Sequence, residues 1–328
     1  MQLSLRAMMS GLVDYAGLFP PAKLPLEQAL RNYARYRQEP ESWMLGRFII
    51  PAARLEELTP FAELFTQQPP FLFSALGRGG TTVQEFLKGL EADLSAITQF
   101  HQRHAGKAVV DVLETKLPGD VQTPDSEEAA TALLARAVAL YEEVGPGPLT
   151  PYYEATLTGD WRTNVGNILR ALSTTNARTA AQRTRSLPGG FKLRCGGLEA
   201  AAFPSIEQVA AVITACHEHG VPLKCTAGLH HPLRRFDASV QTEMHGFLNV
   251  FGAAILADAR PWCEELGQLM LADVEPLRFH FDSEGFQWRD LRVSVADIQQ
   301  ARQRAAISFG SCSFDEPRDD LRALQWLP

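Results

Sequence analysis

Short runs of apolar and β-branched residues alternate along this chain with longer stretches whose apolar positions recur every three to four residues. The short runs fall at 11–16, 46–51, 71–76, 108–114, 151–155, 190–195, 221–226 and 307–313, and each predicts a strand. The longer stretches predict amphipathic helices over 26–37, 82–103, 126–144, 164–175, 205–219 and 240–256, commonly punctuated by Gly or Pro. Eight strand-then-helix units predict an α/β fold, a parallel sheet closed as a (β/α)8 TIM barrel. An open doubly wound sheet is the alternative, but no GxGxxG run follows the first strand to support it. One segment breaks the rhythm. Residues 277–293 alternate apolar and polar around Asp282-Ser283-Glu284-Gly285, which predicts a β-hairpin inserted before the last strand. No linker-like stretch divides the chain, so a single barrel domain over 1–328 is expected.

Composition narrows the class. A chain of 328 residues with 45% hydrophobic and 21% charged residues is an ordinary globular protein, not a disordered one. The net charge of -7 argues against general nucleic-acid binding. Charge is uneven, however: residues 160–235 hold ten Lys and Arg against four Asp and Glu, a balance of +6, which leaves 21 against 34 elsewhere. A basic stretch inside an acidic chain suggests a small anionic partner, although Arg178, Arg183 and Arg185 read equally well as a solvated helix and loop. Five scattered cysteines without a CxxC pair suggest reduced thiols and a cytoplasmic protein. No long apolar run suggests a membrane span, and the first residues lack the pattern of a secretory leader. Assembly into a homo-oligomer is left open.

The candidate chemistry lies on two of the expected strands. Lys192 sits in Gly190-Phe-Lys-Leu-Arg-Cys-Gly-Gly197 and Lys224 in Val221-Pro-Leu-Lys-Cys-Thr-Ala-Gly228. Lysine is almost never buried without a partner or a task. Two ammonium groups on neighbouring strands disfavour each other's charge, and a lysine held neutral is a nucleophile for carbonyl carbon. Alternation by two puts Lys192 with Arg194, and Lys224 with Thr226, on the inward face near the strand ends where barrel active sites lie. The competing reading leaves one lysine exposed and ties the other to Glu114 or Glu154.

Phe191-Lys192-Leu-Arg-Cys-Gly196, Lys224-Cys-Thr-Ala-Gly-Leu-His230, Ser308-Phe-Gly-Ser-Cys-Ser313 and Asp111-Val-Leu lie in order on the sixth, seventh, eighth and fourth strands. In that order they resemble the class I aldolases of the deoxyribose-phosphate aldolase type, over about 30 of the 328 residues. The resemblance implies an aldolase-like lyase. Lys192 would form an imine with a small phosphorylated or carboxylated carbonyl substrate, and Lys224 would depress its pKa. Asp111 or Glu114 would relay the proton; the former is favoured by the resemblance, the latter by its place nearer the strand end. They stand three apart, so both face inward only if the strand ends or bulges between them. Gly228 and the run Gly310-Ser311-Cys312-Ser313 would offer backbone N–H groups to an anion, with no cofactor or metal required. His230 stands where the family has arginine, Arg194 is an addition, and Cys312 interrupts the serine pair.

His230, His231 and His245 support a competing idea, a divalent metal held with Glu114 and Glu154 in a lyase, isomerase or hydrolase. Adjacent histidines point apart and no HxH or HExxH spacing occurs, so proton donation or anion contact suits His230 and His231 better. His101, His104, His217 and His219 fall on helix faces expected to meet solvent, and His280 on the hairpin is expected to be structural. Asp14 and Tyr15 could line the mouth or belong to a tight turn. Asp315 or Glu316 is expected to cap a final helix. A non-catalytic ligand-binding barrel, its lysines tied to carboxylates, is the third reading.

Overall fold

The computed structural model describes residues 2–65, 69–182 and 187–328, so Arg183 and Arg185 lie outside the described residues. Eight parallel strands close into a barrel: Val13–Tyr15, Leu45–Pro51, Phe71–Leu76, Ala108–Lys116, Thr150–Glu154, Gly190–Arg194, Leu223–Thr226 and Ala306–Ser311. All eight expected strands are present, and the last pairs with the first, so the open-sheet alternative is excluded. Below, first to eighth strand refers to this set. By contacts, the chain divides into two compact units, Arg47–Lys192 and Met1–Gly46 with Leu193–Pro328.

In the unit Arg47–Lys192, the second to fifth strands are followed by the 3-10 segment Ala52–Leu64 and the helices Val83–His104, Glu127–Val144 and Trp161–Gln182. Outward-facing Phe48 and Phe73 meet edge to face at 5.9 Å between ring centroids. Phe65 and Phe100 extend this cluster, and the His104 ring packs 4.5 Å from Phe100. Two of the histidines expected on helix surfaces are therefore structural. His104 is buried, and His101 Nε2 accepts a hydrogen bond from the Val110 N–H at 2.8 Å. Apolar neighbours on the turn before each ring draw it in, a tertiary effect that overrides its polarity. The fourth strand carries a bulge: Phe73 pairs with Val110 but Ser74 with Val112, leaving Asp111 as the extra residue.

The unit comprising Met1–Gly46 and Leu193–Pro328 holds the first, seventh and eighth strands and most of the insertions. Phe309 of the eighth strand stacks on Phe247 and packs against Phe251 of the helix Phe247–Ala259, which is buried almost throughout. The helix expected from 240 begins later. Residues Thr242–Met244 pair instead with Arg235–Asp237 as a two-stranded antiparallel sheet, because period-2 alternation there competes with the helical period. The expected hairpin at 277–293 is larger than foreseen: Phe279–Phe281, Gly285–Trp288 and Leu291–Ser294 form a three-stranded sheet. Its buried face packs Phe281 on Phe286, and Trp288 Nε1 donates to Asp273 at 3.0 Å. His280, by contrast, is exposed. A helix, Val295–Arg304, then intervenes before the eighth strand, opened by reciprocal bonds between Ser294 and Asp297.

Candidate active site

Within the unit Arg47–Lys192, three neighbouring strands converge on one buried amine. Glu114 pairs with Tyr152, and Glu154 with Lys192, along adjacent parallel strands, so these alternate residues share the inward face. Lys192 Nζ lies 2.9 Å from Glu114 Oε2 and 3.1 Å from Glu154 Oε2. Ser74 Oγ donates to Glu114 Oε1 at 2.6 Å and holds that carboxylate in place. Lys192 is 7% exposed, Glu114 2%, while Glu154 is half-buried at the strand end. Burial by itself pulls the Lys192 pKa down, but Glu114 and Glu154 outweigh it by attraction and hydrogen bonding. The amine therefore sits above its ordinary 10.5. The expected downward shift is replaced by its opposite, because the close neighbours of this ammonium are anions.

Of the two acids weighed for proton relay, the structure brings Glu114 to Lys192. Asp111 is the bulged residue and makes a bidentate pair with Arg47, at 2.6 and 2.7 Å. The bulge foreseen as the condition for both to face inward exists, yet Arg47 of the second strand claims Asp111.

In the other unit, Lys224 forms its own cluster. Its Nζ donates to Asp14 Oδ2 and, at 3.1 Å, to Ser308 Oγ, while Ser308 Oγ donates to Asp14 Oδ2 at 2.7 Å. Lys224 and Ser308 are each 1% exposed and Asp14 is fully buried. Asp14, weighed in sequence as a mouth or turn residue, is thus the charge partner of a buried lysine; Ser74 was not foreseen, and Ser308 entered only as the first residue of the eighth-strand run. An acid inside the apolar run Leu12-Val-Asp-Tyr was the available signal; single serines offered none.

The other residues divide. Arg194 ends its strand exposed, and Thr226 is half-buried beside Gly310 in register. Gly228, at φ +72°, lies back to back with Gly196: a Cβ on Gly228 would come within 2.8 Å of Gly196 Cα and 2.6 Å of Cys195 O. Close passage of two loops is what requires glycine there. Ser311 Oγ donates to Ser313 O at 2.7 Å, and Ser313 Oγ accepts from the Glu316 N–H at 3.1 Å. Asp315 and Glu316 supply the negative charge expected in the first turn of the final helix Asp315–Ala323, but Ser313 makes the hydrogen bond to its N–H, and the two acids reach Tyr36 and His230. A serine oxygen two residues before the helix reaches its first-turn N–H where the longer acids point outward.

The imidazoles are distributed among separate partners. His230 Nδ1 lies 2.9 Å from Glu316, His231 Nδ1 lies 2.5 Å from Asp320, and His245 Nε2 donates to Pro204 O at 2.8 Å. Burial brings the His245 pKa down to about 4. Among the described residues, no group of three or more His, Cys, Asp and Glu is placed to hold a metal ion. No described helix is long and apolar enough to cross a membrane.

Strand order and site together define a closed parallel (β/α)8 barrel whose inner face carries lysine–carboxylate clusters. No protein-family model matches the chain, and no curated protein matches it. Among solved structures it is similar to the deoxyribose phosphate aldolase from Aeropyrum pernix, described as a unique tetrameric structure. Identity is 9%, the TM-score 0.48, and the match covers 97% of this chain and 93% of that one.

Proposed function

We propose that this barrel is an aldolase-like carbon–carbon lyase in which Lys192 forms an imine with a small anionic carbonyl compound. The observation that carries the proposal is the setting of Lys192, an almost buried amine flanked by Glu114 and Glu154 on successive strands. Lys224 is the poorer nucleophile, being 1% exposed and bound to both Asp14 and Ser308. The ion-paired ammonium must first lose a proton, and the half-buried Glu154 is the acceptor in contact at 3.1 Å. The freed amine then adds to the carbonyl carbon, the carbonyl oxygen takes up the proton from Glu154 and a second one from the nitrogen, and water leaves as the cationic imine forms. Glu114, held by Ser74, keeps its charge beside the cationic imine nitrogen. The excess of +6 in residues 160–235 supports an anionic substrate. Five free cysteines support a reducing, cytoplasmic setting.

The same ion pairs favour a second reading, a non-catalytic barrel whose lysines only neutralise buried acids. Borohydride reduction in the presence of a panel of small anionic aldehydes and ketones separates the two. A reduced adduct on Lys192, absent from Lys192→Met, is expected for the lyase. No adduct on either lysine across the panel leaves the non-catalytic reading in possession.

A further inference from the structure

After the seventh and eighth strands, the chain brings a thiol, an imidazole and a carboxylate together within a single unit. His230 Nδ1 lies 2.9 Å from Glu316 Oε2, and Cys312 lies close enough to act on the charge of the same ring. Glu316 is anchored in the first turn of the final helix, its N–H bonded to Ser313 Oγ at 3.1 Å. The His230 side chain is only 16% exposed, so its orientation is set by these partners. Cys312 is partly exposed, and a reagent from solvent can reach it.

We propose that Cys312, His230 and Glu316 form a nucleophilic thiol site that captures soft electrophilic carbon, such as α,β-unsaturated or α-halo carbonyl compounds. This chemistry makes no use of Lys192. A thiol beside a protonated imidazole loses its proton more readily, and a carboxylate on the far side of the ring keeps that ring charged and oriented. Burial alone pulls the His230 pKa down; hydrogen bonds and attraction from Cys312 and Glu316 outweigh it and bring it up to about 10. Glu316 in turn is held below its ordinary range by His230. Tyr15 faces Cys312 and is itself flanked by Asp315 and Arg35, while His231 and Asp237 face Glu316.

The other cysteines lack this setting. Cys195, Cys216 and Cys225 are buried, and Cys263 is exposed ahead of the acidic turn Glu264-Glu265. In the reaction, the thiol proton rests on His230 and the sulfur lone pair forms the S–C bond. With an α-halo compound the C–halogen bond breaks and halide leaves; with an unsaturated carbonyl, His230 returns its proton to the α-carbon.

The test is alkylation of the whole folded protein by iodoacetamide, read peptide by peptide with Cys263 as the internal reference. At pH 6.5 Cys312 is expected to react at least about tenfold faster than Cys263. His230→Gln should bring Cys312 down to the reference rate, and Glu316→Gln part of the way. A wild-type Cys312 that reacts no faster than Cys263 overturns the proposal whether or not either variant folds.

Discussion

Lys192 Nζ sits 2.9 Å from Glu114 Oε2, a contact made across strands whose residues stand far apart in sequence. Neither group is left charged alone in the barrel interior, because each neutralises the other where solvation is poor. The second acid, Glu154, leaves the cluster with one cation against two carboxylates. That imbalance gives the amine a ready proton acceptor and sets the first prediction.

Removing the cation should be costlier than removing one anion. Lys192→Met removes the ammonium that both Glu114 and Glu154 contact, and is expected to destabilise by about 3–5 kcal/mol. Glu114→Gln should cost less, and the double variant less than the sum of the two. Urea unfolding of all four proteins checks this; additive losses would mean the contact is not coupled.

Asp14→Asn tests the second cluster. The substitution replaces the carboxylate beside the Lys224 ammonium, which is 1% exposed, by a neutral amide and leaves the Ser308 contact in place. A loss of about 3–5 kcal/mol in unfolding free energy is expected. A loss below about 1 kcal/mol, the range of an exposed pair, would show that Lys224 finds water instead.

His245 makes stability fall on the acid side. Its folded pKa of about 4 lies below the ordinary 6.5, so its contribution is present above 6.5 and lost as pH falls through 4. The shift corresponds to on the order of 3 kcal/mol at full expression. His245→Gln should flatten the stability profile between pH 6.5 and 4, measured by denaturant midpoints; an unchanged slope would assign it to other groups.

His230 acts in the opposite direction. With a folded pKa of about 10 against 6.5, its contribution is complete below 6.5 and lost as pH rises through 10. Wild type should therefore lose stability from pH 7 to 10, and Glu316→Gln should lose less over the same range. Thermal unfolding at several pH values supplies the comparison.

Much of the fold was legible because its signals are local. Alternation, helical period and Gly–Pro punctuation located all eight strands and the helices that follow the first, third, fourth and sixth of them within a few residues. They failed at 240–246, where two periodicities overlap, and at the insertion, where a third strand follows Trp288. Histidines 101 and 104 were misjudged because their partners come from other elements, the Val110 N–H for His101 and the Phe65 ring for His104.

The sequence by itself determined the βα alternation, and with it the barrel and the presence of two lysines on inner strand faces. Which acid each lysine meets was decided only by tertiary structure. Register carries Glu114 and Glu154 to Lys192, a bulge turns Asp111 over to Arg47, and Asp14 reaches Lys224 from the opposite end of the chain. The physical reason is range: side-chain periodicity is written in neighbouring residues, whereas charge pairing depends on strands aligned only when the sheet closes.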